Sequence, residues 1–286
     1  MNIEDRNWAY LLRVGADSGK YGGGFHSPIF NNGTFEFIPI PEPPEDQQWL
    51  REVGYGRFTY CHTYHRSAKH SFADYIADEQ TKRSLFNKCM HVDPDFANAT
   101  YGDIAITKKG KCVPKAATLR KLEPGHLLVF CAKLDPFGKN NTHESGVYIV
   151  GYFEVKKVHS FKEKKPTERW EICKEFREKN PHCAVLTRSE MKKYYVEGLV
   201  LVEGKGSTLL KTALRLTDEN DRVMPRWKRE LGLNATQFPR GGRWLPQKNR
   251  NNKRKREQYI LRLKKILREN GKCSQKLKTI ANVESG

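Results

Sequence analysis

The chain has 286 residues, enough for one large hydrophobic core or two smaller ones, and its 52 Lys and Arg residues outnumber 33 Asp and Glu residues. The formal net charge of +19 predicts a polyanionic partner, nucleic acid first, with solubility alone as the alternative explanation. No apolar run approaches the ~18 residues of a membrane-spanning helix, so no membrane partner is expected. The seven cysteines lack a C-x-x-C pair and the N-terminus lacks a signal region, which predicts a reduced cytoplasmic protein.

The first predicted element is an apolar strand that ends near Arg13 and leads into a glycine loop. The loop contains Asp17, Lys20, Gly22, Gly23 and Gly24. It fits neither the dinucleotide-binding pattern nor the phosphate-loop pattern, but exposed glycine amides beside a lysine are suited to phosphate. We therefore predict that Arg13, the lysine and the glycines bind phosphate and that the aspartate is catalytic. A hairpin entry that needs positive φ values is the alternative interpretation of the glycines.

An Asn-Asn-Gly turn signature at residues 31–33 predicts a hairpin between His26–Phe30 and Thr34–Ile40. A proline-rich connection follows, and three histidines within residues 61–71 lack the spacing of a helical zinc site. The next segment, Phe72–Met90, is predicted to be a helix.

The segment HVDPD, residues 91–95, places one imidazole and two carboxylates close together. An extended chain sends His91, Asp93 and Asp95 to the same face, which suits a divalent cation or an acid–base pair. Oxygen ligands favour magnesium or manganese, and histidine widens the choice to zinc or iron, with His182 as a second histidine that must come from elsewhere. We predict that His91, Asp93 and Asp95 are metal ligands. We also predict that both of these aspartates and His182 are catalytic residues. The alternative is an Asp-Pro-Asp turn that caps a neighbouring element.

The middle of the chain is rich in β-forming residues. Two runs within Leu122–Val158, joined by a polar loop, predict central strands, and Glu168–Glu178 predicts a helix. Residues 199–217 predict a strand, a tight glycine loop and a short helix with Ser207 as its N-cap. Such a helix N-terminus could bind phosphate, although an ordinary strand-to-helix turn explains the same pattern.

The C-terminal part combines cations with tryptophans. Residues 226–228 and 239–244 interleave arginine and lysine with indoles, as surfaces that bind single-stranded nucleic acid do. Behind four consecutive cations, apolar residues at helical spacing predict a basic amphipathic helix. The predicted nucleic-acid-binding cations here are Arg240, Arg243, Lys253, Arg254, Lys255 and Arg256. We expect one domain over residues 1–246 and a basic helical tail over 247–286.

Short segments along the chain match, in order, the motifs of one known family. They are Arg13, Asp17-Ser18, Gly23-Gly24, Ser27-Pro28-Ile29, Pro39-Ile40-Pro41, His91 to Asp95, the strands that start at Gly125 and Gly151, and Pro181-His182. The pattern resembles the third type of nucleotide-modification-associated domain, found in prokaryotes and phages, over roughly residues 8 to 245. The chain departs from the family in extra loop residues at Gly19–Gly24 and in His126, where an acid is usual. The resemblance implies a part in nucleic-acid or nucleotide modification.

Together these observations predict an α+β fold with a largely antiparallel central sheet, flanking helices and a basic C-terminal helix. The first functional hypothesis is an enzyme that modifies a nucleotide or a base in DNA or RNA by acid–base or metal-assisted chemistry. A base extruded from the stack needs such a polar pocket. The alternatives are a non-catalytic reader of modified or single-stranded nucleic acid and a metal-dependent nuclease in host defence. The sequence does not identify a cofactor, and a divalent metal is the candidate.

Overall fold

A computed structural model describes residues 8–15, 25–55, 59–61, 71–76, 78–105, 111, 113–187, 193–233, 238, 242–246 and 252–270. The strands are β1 (Ala9–Arg13), β2 (Ser27–Ile29), β3 (Ile40–Pro41), β4 (Met90–His91), β5 (Thr100–Ile104), β6 (Leu127–Pro136), β7 (Gly146–Ser160), β8 (Leu199–Arg215) and β9 (Arg243–Leu245). The helices are α1 (Pro44–Glu52), α2 (Glu79–Leu85), α3 (Pro114–Leu119), α4 (Pro166–Phe176), α5 (Pro181–Leu186), α6 (Lys193–Gly198), α7 (Pro225–Glu230) and α8 (Lys253–Glu269).

Seven strands form one sheet in the order β5-β8-β7-β6-β1-β9, with β2 beside the C-terminal end of β6. β1 and β2 run parallel to β6, and the other pairs in this sheet are antiparallel. The first six residues of β6, LLVFCA, are all buried, which explains why this central strand reads as a continuous apolar run. The predicted fold class is confirmed, and the two predicted central strands are β6 and β7.

The longest strand, β8, replaces the predicted strand-loop-helix unit. It runs without a break from Leu199 to Arg215 and pairs with β7 through several register shifts. A Cβ at Gly204 would lie 2.3 Å from the Phe153 ring, so the glycine allows close packing of the two strands. The glycines therefore belong to an irregular strand. The prediction of a helix capped by Ser207 is therefore wrong, and neither a phosphate site at a helix N-terminus nor an ordinary strand-to-helix turn is present at these residues.

The predicted hairpin around residues 31–33 is only partly formed. The turn is present, because the Phe30 amide donates a hydrogen bond to the Thr34 carbonyl at 2.8 Å. Beyond the turn, Ile29 and Phe35 form a single antiparallel bridge, and β2 takes its regular pairing from β6.

The helix predicted over Phe72–Met90 is divided into two short elements. The side chain of Asp74 accepts hydrogen bonds from both the amide and the hydroxyl of Ser71, which closes a separate turn of 3-10 helix. The carboxylate of Asp78 then accepts the Thr81 amide at 2.6 Å and starts α2. Each of the two short elements therefore starts at its own N-terminal cap.

The C-terminal helix α8 packs against the main hydrophobic core. Ile260, Leu263 and Leu267 are buried in the same cluster as the central strands, and the Lys211 amide of β8 donates to the Asn270 carbonyl. The predicted basic amphipathic helix is therefore confirmed. No helix within the described ranges is both long and apolar enough to cross a bilayer. The division at residue 246 stays a prediction, and the packing leads us to propose that α8 belongs to the folded domain.

His159 on β7 is a buried histidine that makes stability depend on pH. Its ring centroid lies 5.7 Å from that of Phe176, and Nε2 is 3.7 Å from Glu203 Oε2, too far for a good hydrogen bond. Burial, followed by the nearby Lys157 charge, lowers the pKa of His159 below its ordinary value of 6.5. The His159 ring therefore becomes protonated at a higher pH in the unfolded chain than in the native state. The free energy of unfolding should fall as the pH drops from 6.5 towards the native pKa.

We expect His159→Leu to remove this acid-dependent loss of stability. Urea denaturation at about pH 7.5 and about pH 5.5 should show the variant gaining stability relative to the wild type at the lower pH. His143→Leu, at a histidine that is only partly buried, is the matched control and should show no such gain. A difference between His159→Leu and wild type that does not change with pH would contradict the prediction.

Candidate metal centre

Segments far apart in sequence meet at one polar cluster. His91 is the last residue of β4, and Asp93 lies just beyond it. His182 lies in the first turn of α5, where its amide donates to the side chain of the N-cap residue Asn180 at 3.1 Å. β3 pairs with β4 and ends beside Glu42. The structure therefore brings together three of the residues that the sequence predicts, His91, Asp93 and His182.

Both histidine rings point towards one carboxylate oxygen of Asp93. Asp93 Oδ2 is 3.5 Å from His182 Nε2 and 3.8 Å from His91 Nε2. The two ring centroids are 4.7 Å apart, and the rings are nearly perpendicular at 79°. Within the described ranges this is the only group of three His, Cys, Asp or Glu side chains whose ligand atoms all lie within 4.8 Å of one another. Two imidazole nitrogens and one carboxylate oxygen could hold a divalent cation.

The other nitrogen of each histidine has its own partner. His91 Nδ1 lies 2.9 Å from Glu42 Oε1, and His182 Nδ1 lies 2.8 Å from the Tyr195 hydroxyl. The Glu42 carboxylate is buried, and burial also raises the pKa of Tyr195 well above 10, so this hydroxyl stays neutral. These contacts hold both rings with Nε2 towards Asp93. Neither Glu42 nor Tyr195 was predicted from the sequence, since neither belongs to a local motif.

Backbone and amide donors hold Asp93 in place. The Gly102 amide on β5 donates to both carboxylate oxygens at 2.9 and 3.1 Å, and Asn180 Nδ2 lies 3.3 Å from Oδ1. A Cβ at Gly102 would lie 2.6 Å from His182 Cδ2. A glycine is therefore needed for the strand to approach the cluster this closely.

The electrostatics of the cluster follow from burial and from the carboxylates. Burial on its own lowers the pKa of His91, but Glu42, with Asp93 and Asp103, outweighs it and raises the pKa to about 9. Burial raises the pKa of Asp93 above 3.8, and His182, His91 and the backbone amide that donates to it oppose this rise. At neutral pH the His91 ring is therefore protonated on both nitrogens. A metal cation that binds to Nε2 would displace the proton there, so binding would release a proton.

Asp95 lies outside the cluster. Its Oδ1 accepts the amides of Ala97 and Asn98 at 2.8 and 3.0 Å, and its Oδ2 accepts the Asn98 side chain at 2.7 Å. The backbone of Asp95 also pairs with Thr100 at the start of β5. This is the turn that the sequence offered as the alternative interpretation. The predicted alignment of positions 91, 93 and 95 on one face therefore holds only for the first two.

The predicted phosphate-binding cations are spread over the molecule. Arg13 is buried at the end of β1 and forms an ion pair with Asp221 at 3.2 Å. Arg243 and the first three residues of α8, Lys253, Arg254 and Lys255, are exposed. The guanidinium of Arg256 is buried and lies 4.9 Å above the centre of the Trp8 ring. In this position Arg256 is unsuited to contact with phosphate. The remaining predicted site residues, Asp17, Lys20, Gly22, Gly23, Gly24 and Arg240, lie outside the described residues, as do His62, His65 and His70.

The tryptophans of the predicted stacking surface pack inside the protein. Trp227 is buried, and its Nε1 donates to the Arg215 carbonyl at 2.6 Å. Trp244 is partly buried, with ring centroids 5.2 Å from Tyr10 and 5.8 Å from His126. The predicted stacking role is therefore wrong for Trp227, whose indole completes the core.

The comparisons with known proteins agree with the motif pattern. The sequence model of one family, described as nucleotide modification associated domain 3, matches residues 9–262, which includes the cluster and part of α8. No curated protein and no solved structure matches the chain significantly. The match covers most of the chain and confirms the resemblance. The chain therefore belongs to the nucleotide modification associated domain 3 family.

Proposed function

We propose that the protein is a metal-dependent enzyme that modifies a nucleotide or a nucleic-acid base, with His91, Asp93 and His182 as the metal ligands. Family membership supports the substrate class. The observation that carries the proposal is that both Nε2 atoms face one Asp93 oxygen while both Nδ1 atoms have other partners. Histidines that bind metals are typically held in this way by a second hydrogen bond.

The donor atoms favour iron(II) or zinc over magnesium. Magnesium prefers oxygen ligands and retained water, whereas two imidazoles and one carboxylate are common around iron(II) and zinc. A divalent cation bound here would act as a Lewis acid on a substrate oxygen or on water. In this proposal the third metal ligand is His182, whereas the sequence predicted Asp95 as that ligand.

The surrounding residues would position the ligands. Glu42 and Tyr195 hold the two rings, and Asn180 together with the Gly102 amide holds the carboxylate of Asp93. The buried setting limits the access of bulk water and strengthens each of these polar contacts. Removing a positioning residue would therefore disturb the ligands without removing one of them.

A second candidate is an enzyme with the same substrates that uses the cluster for acid–base chemistry. His91 has a pKa of about 9, so it holds a proton at neutral pH and lies between two carboxylates that could take part in its transfer. A general acid needs a proton and a hydrogen-bonded position near its substrate. The two candidates differ in whether turnover needs a cation.

The test is turnover by the metal-stripped protein after it is reloaded separately with iron(II), zinc, manganese or magnesium. Each form is incubated with nucleotides, plasmid, single-stranded DNA and tRNA, with a dialysable cell extract as the source of any co-substrate. The products are digested to nucleosides and analysed by mass spectrometry. We expect a change in nucleoside mass that depends on the cation and is lost in His182→Gln.

His143→Gln is the matched control, because it removes a histidine outside the cluster by the same substitution. It should keep wild-type turnover. Turnover that survives removal of metal would favour the acid–base candidate. Failure of every substrate with every cation, or equal turnover in both variants, would refute the proposed enzyme.

A further inference from the structure

A second feature is a basic cleft between α7 and α8, with a volume of about 220 Å³. We call it the α7–α8 cleft, and it is lined by Arg229, Lys255, Gln258, Tyr259 and Arg262. The four residues from α8 occupy positions i, i+3, i+4 and i+7, so they share one face of the helix. Arg229 faces them from α7. Of this group only Lys255 is among the cations predicted from the sequence to bind nucleic acid.

The three cations of the α7–α8 cleft have no carboxylate partner within the described part of the chain. Arg229, Lys255 and Arg262 form no ion pair there, and the nearby Glu230 pairs with Arg226 at 3.1 Å. Three positive charges in one concave site repel each other, and a bound anion would relieve this repulsion. The cleft is therefore suited to an anionic ligand.

A second cleft on the other side of α8 gives a useful contrast. It has a volume of about 330 Å³ and is also lined by cations, including Lys205 and Lys264. Glu154 lies in its wall, 3.0 Å from Lys205 and 3.9 Å from Lys264, and partly neutralises both. None of the described residues that line the α7–α8 cleft is acidic, so it is the stronger anion site.

The fold holds the α7–α8 cleft in a fixed shape. Ile260 and Leu263 anchor an adjacent face of α8 in the core, and Arg256 lies over the Trp8 ring. Gly232, with a positive φ of 63°, allows the chain to pass close to Tyr259, since a Cβ there would lie 3.2 Å from the Tyr259 ring. A preorganised site loses less entropy when it binds.

We infer that the α7–α8 cleft binds the phosphate backbone of a polynucleotide. The exposed face of α8 carries further cations along a helix about 25 Å long, enough to follow several phosphates, whereas a free nucleotide would need only one pocket. The Gln258 amide and the Tyr259 ring can contact sugar or base edges beside the phosphates. This inference rests on the proposed function for the class of partner, but it can be measured without turnover.

The test compares two triple variants by fluorescence anisotropy. Arg229→Gln/Lys255→Gln/Arg262→Gln removes the cations of the cleft, and Lys121→Gln/Lys139→Gln/Lys162→Gln removes three exposed lysines elsewhere. Both are titrated with duplex DNA, single-stranded DNA and RNA oligonucleotides over a range of salt concentrations. We expect the cleft variant to bind at least about tenfold more weakly at low salt, and the slope of log affinity against log salt to flatten by about 2 to 3. The control variant should stay within about twofold of the wild type at the same salt.

Equal losses in the two triple variants, or wild-type affinity in the cleft variant, would overturn the inference. Binding of phosphatidylserine vesicles but not of oligonucleotides would overturn it too, because the partner would then be a membrane. Two measurements distinguish failure of this inference from failure of the proposed function. The cleft variant should retain wild-type metal content, and its loss of oligonucleotide affinity should be the same in the metal-stripped and the metal-loaded protein.

Discussion

Asp93→Asn is expected to lower the affinity for iron(II) or zinc by at least about 100-fold, the largest effect of any single substitution in the cluster. The asparagine oxygen can still accept the Gly102 amide, but the group facing the two histidines loses its negative charge. Two neutral imidazoles without a carboxylate bind a divalent cation much more weakly. The affinity is measured by titration calorimetry on protein freed of metal, with bound metal checked by elemental analysis after dialysis.

Asp95→Asn is the matched control for this experiment, because it makes the same chemical change two residues away. The Asp95 carboxylate accepts hydrogen bonds from its own turn, so its loss should reduce the free energy of unfolding and leave metal affinity within a few-fold of wild type. If the two variants bind metal equally well, Asp93 is not a ligand. If only Asp95→Asn loses affinity, the cluster of His91, Asp93 and His182 is not the metal site.

Phe130→Ala is expected to reduce the free energy of unfolding by about 3 to 5 kcal/mol. Phe130 is fully buried in β6, and its ring centroid lies 5.0 to 5.5 Å from those of Phe153, Phe96 and Tyr101. The substitution removes apolar area and leaves a cavity where three strands and a turn meet. Urea denaturation of the wild type and the variant gives the difference directly.

Phe86→Ala tests whether the loss comes from burial. Phe86 is 43% exposed at the end of α2, so the same substitution should cost no more than about 1 kcal/mol. A similar loss of stability in both variants would mean that the burial of Phe130 is not the cause of its effect.

Local patterns predicted the parts of the fold and site that depend on near neighbours. The apolar runs of β6 and β7 predict central strands because burial on both faces requires continuous apolar sequence. The pairing of His91 with Asp93 follows from their spacing along an extended segment. His182 was named as a second histidine that had to come from elsewhere, and Pro181-His182 also matches a family motif, but no spacing placed it near His91.

Other features depend on contacts between distant residues and leave no local pattern. Gly204 looks like part of a loop in sequence, but pairing with β7 keeps the chain extended through it. Glu42 lies in a proline-rich connection 49 residues before His91, and Tyr195 lies 13 residues after His182, so no local spacing links either residue to its histidine. Arg256 belongs to a run of four cations and is nevertheless buried, because helical geometry turns it towards Trp8.

The position of β1 has a consequence for folding during synthesis. β1 is synthesised before both of its neighbours in the sheet, β6 and β9, and β9 does not exist until the chain has grown to Leu245. Until then the apolar side chains of Leu11 and Leu12 have no complete sheet to enter. Sheets closed by such distant partners form slowly and leave apolar strands open to aggregation or to chaperones. The nascent chain therefore cannot complete this sheet before Leu245 has been synthesised.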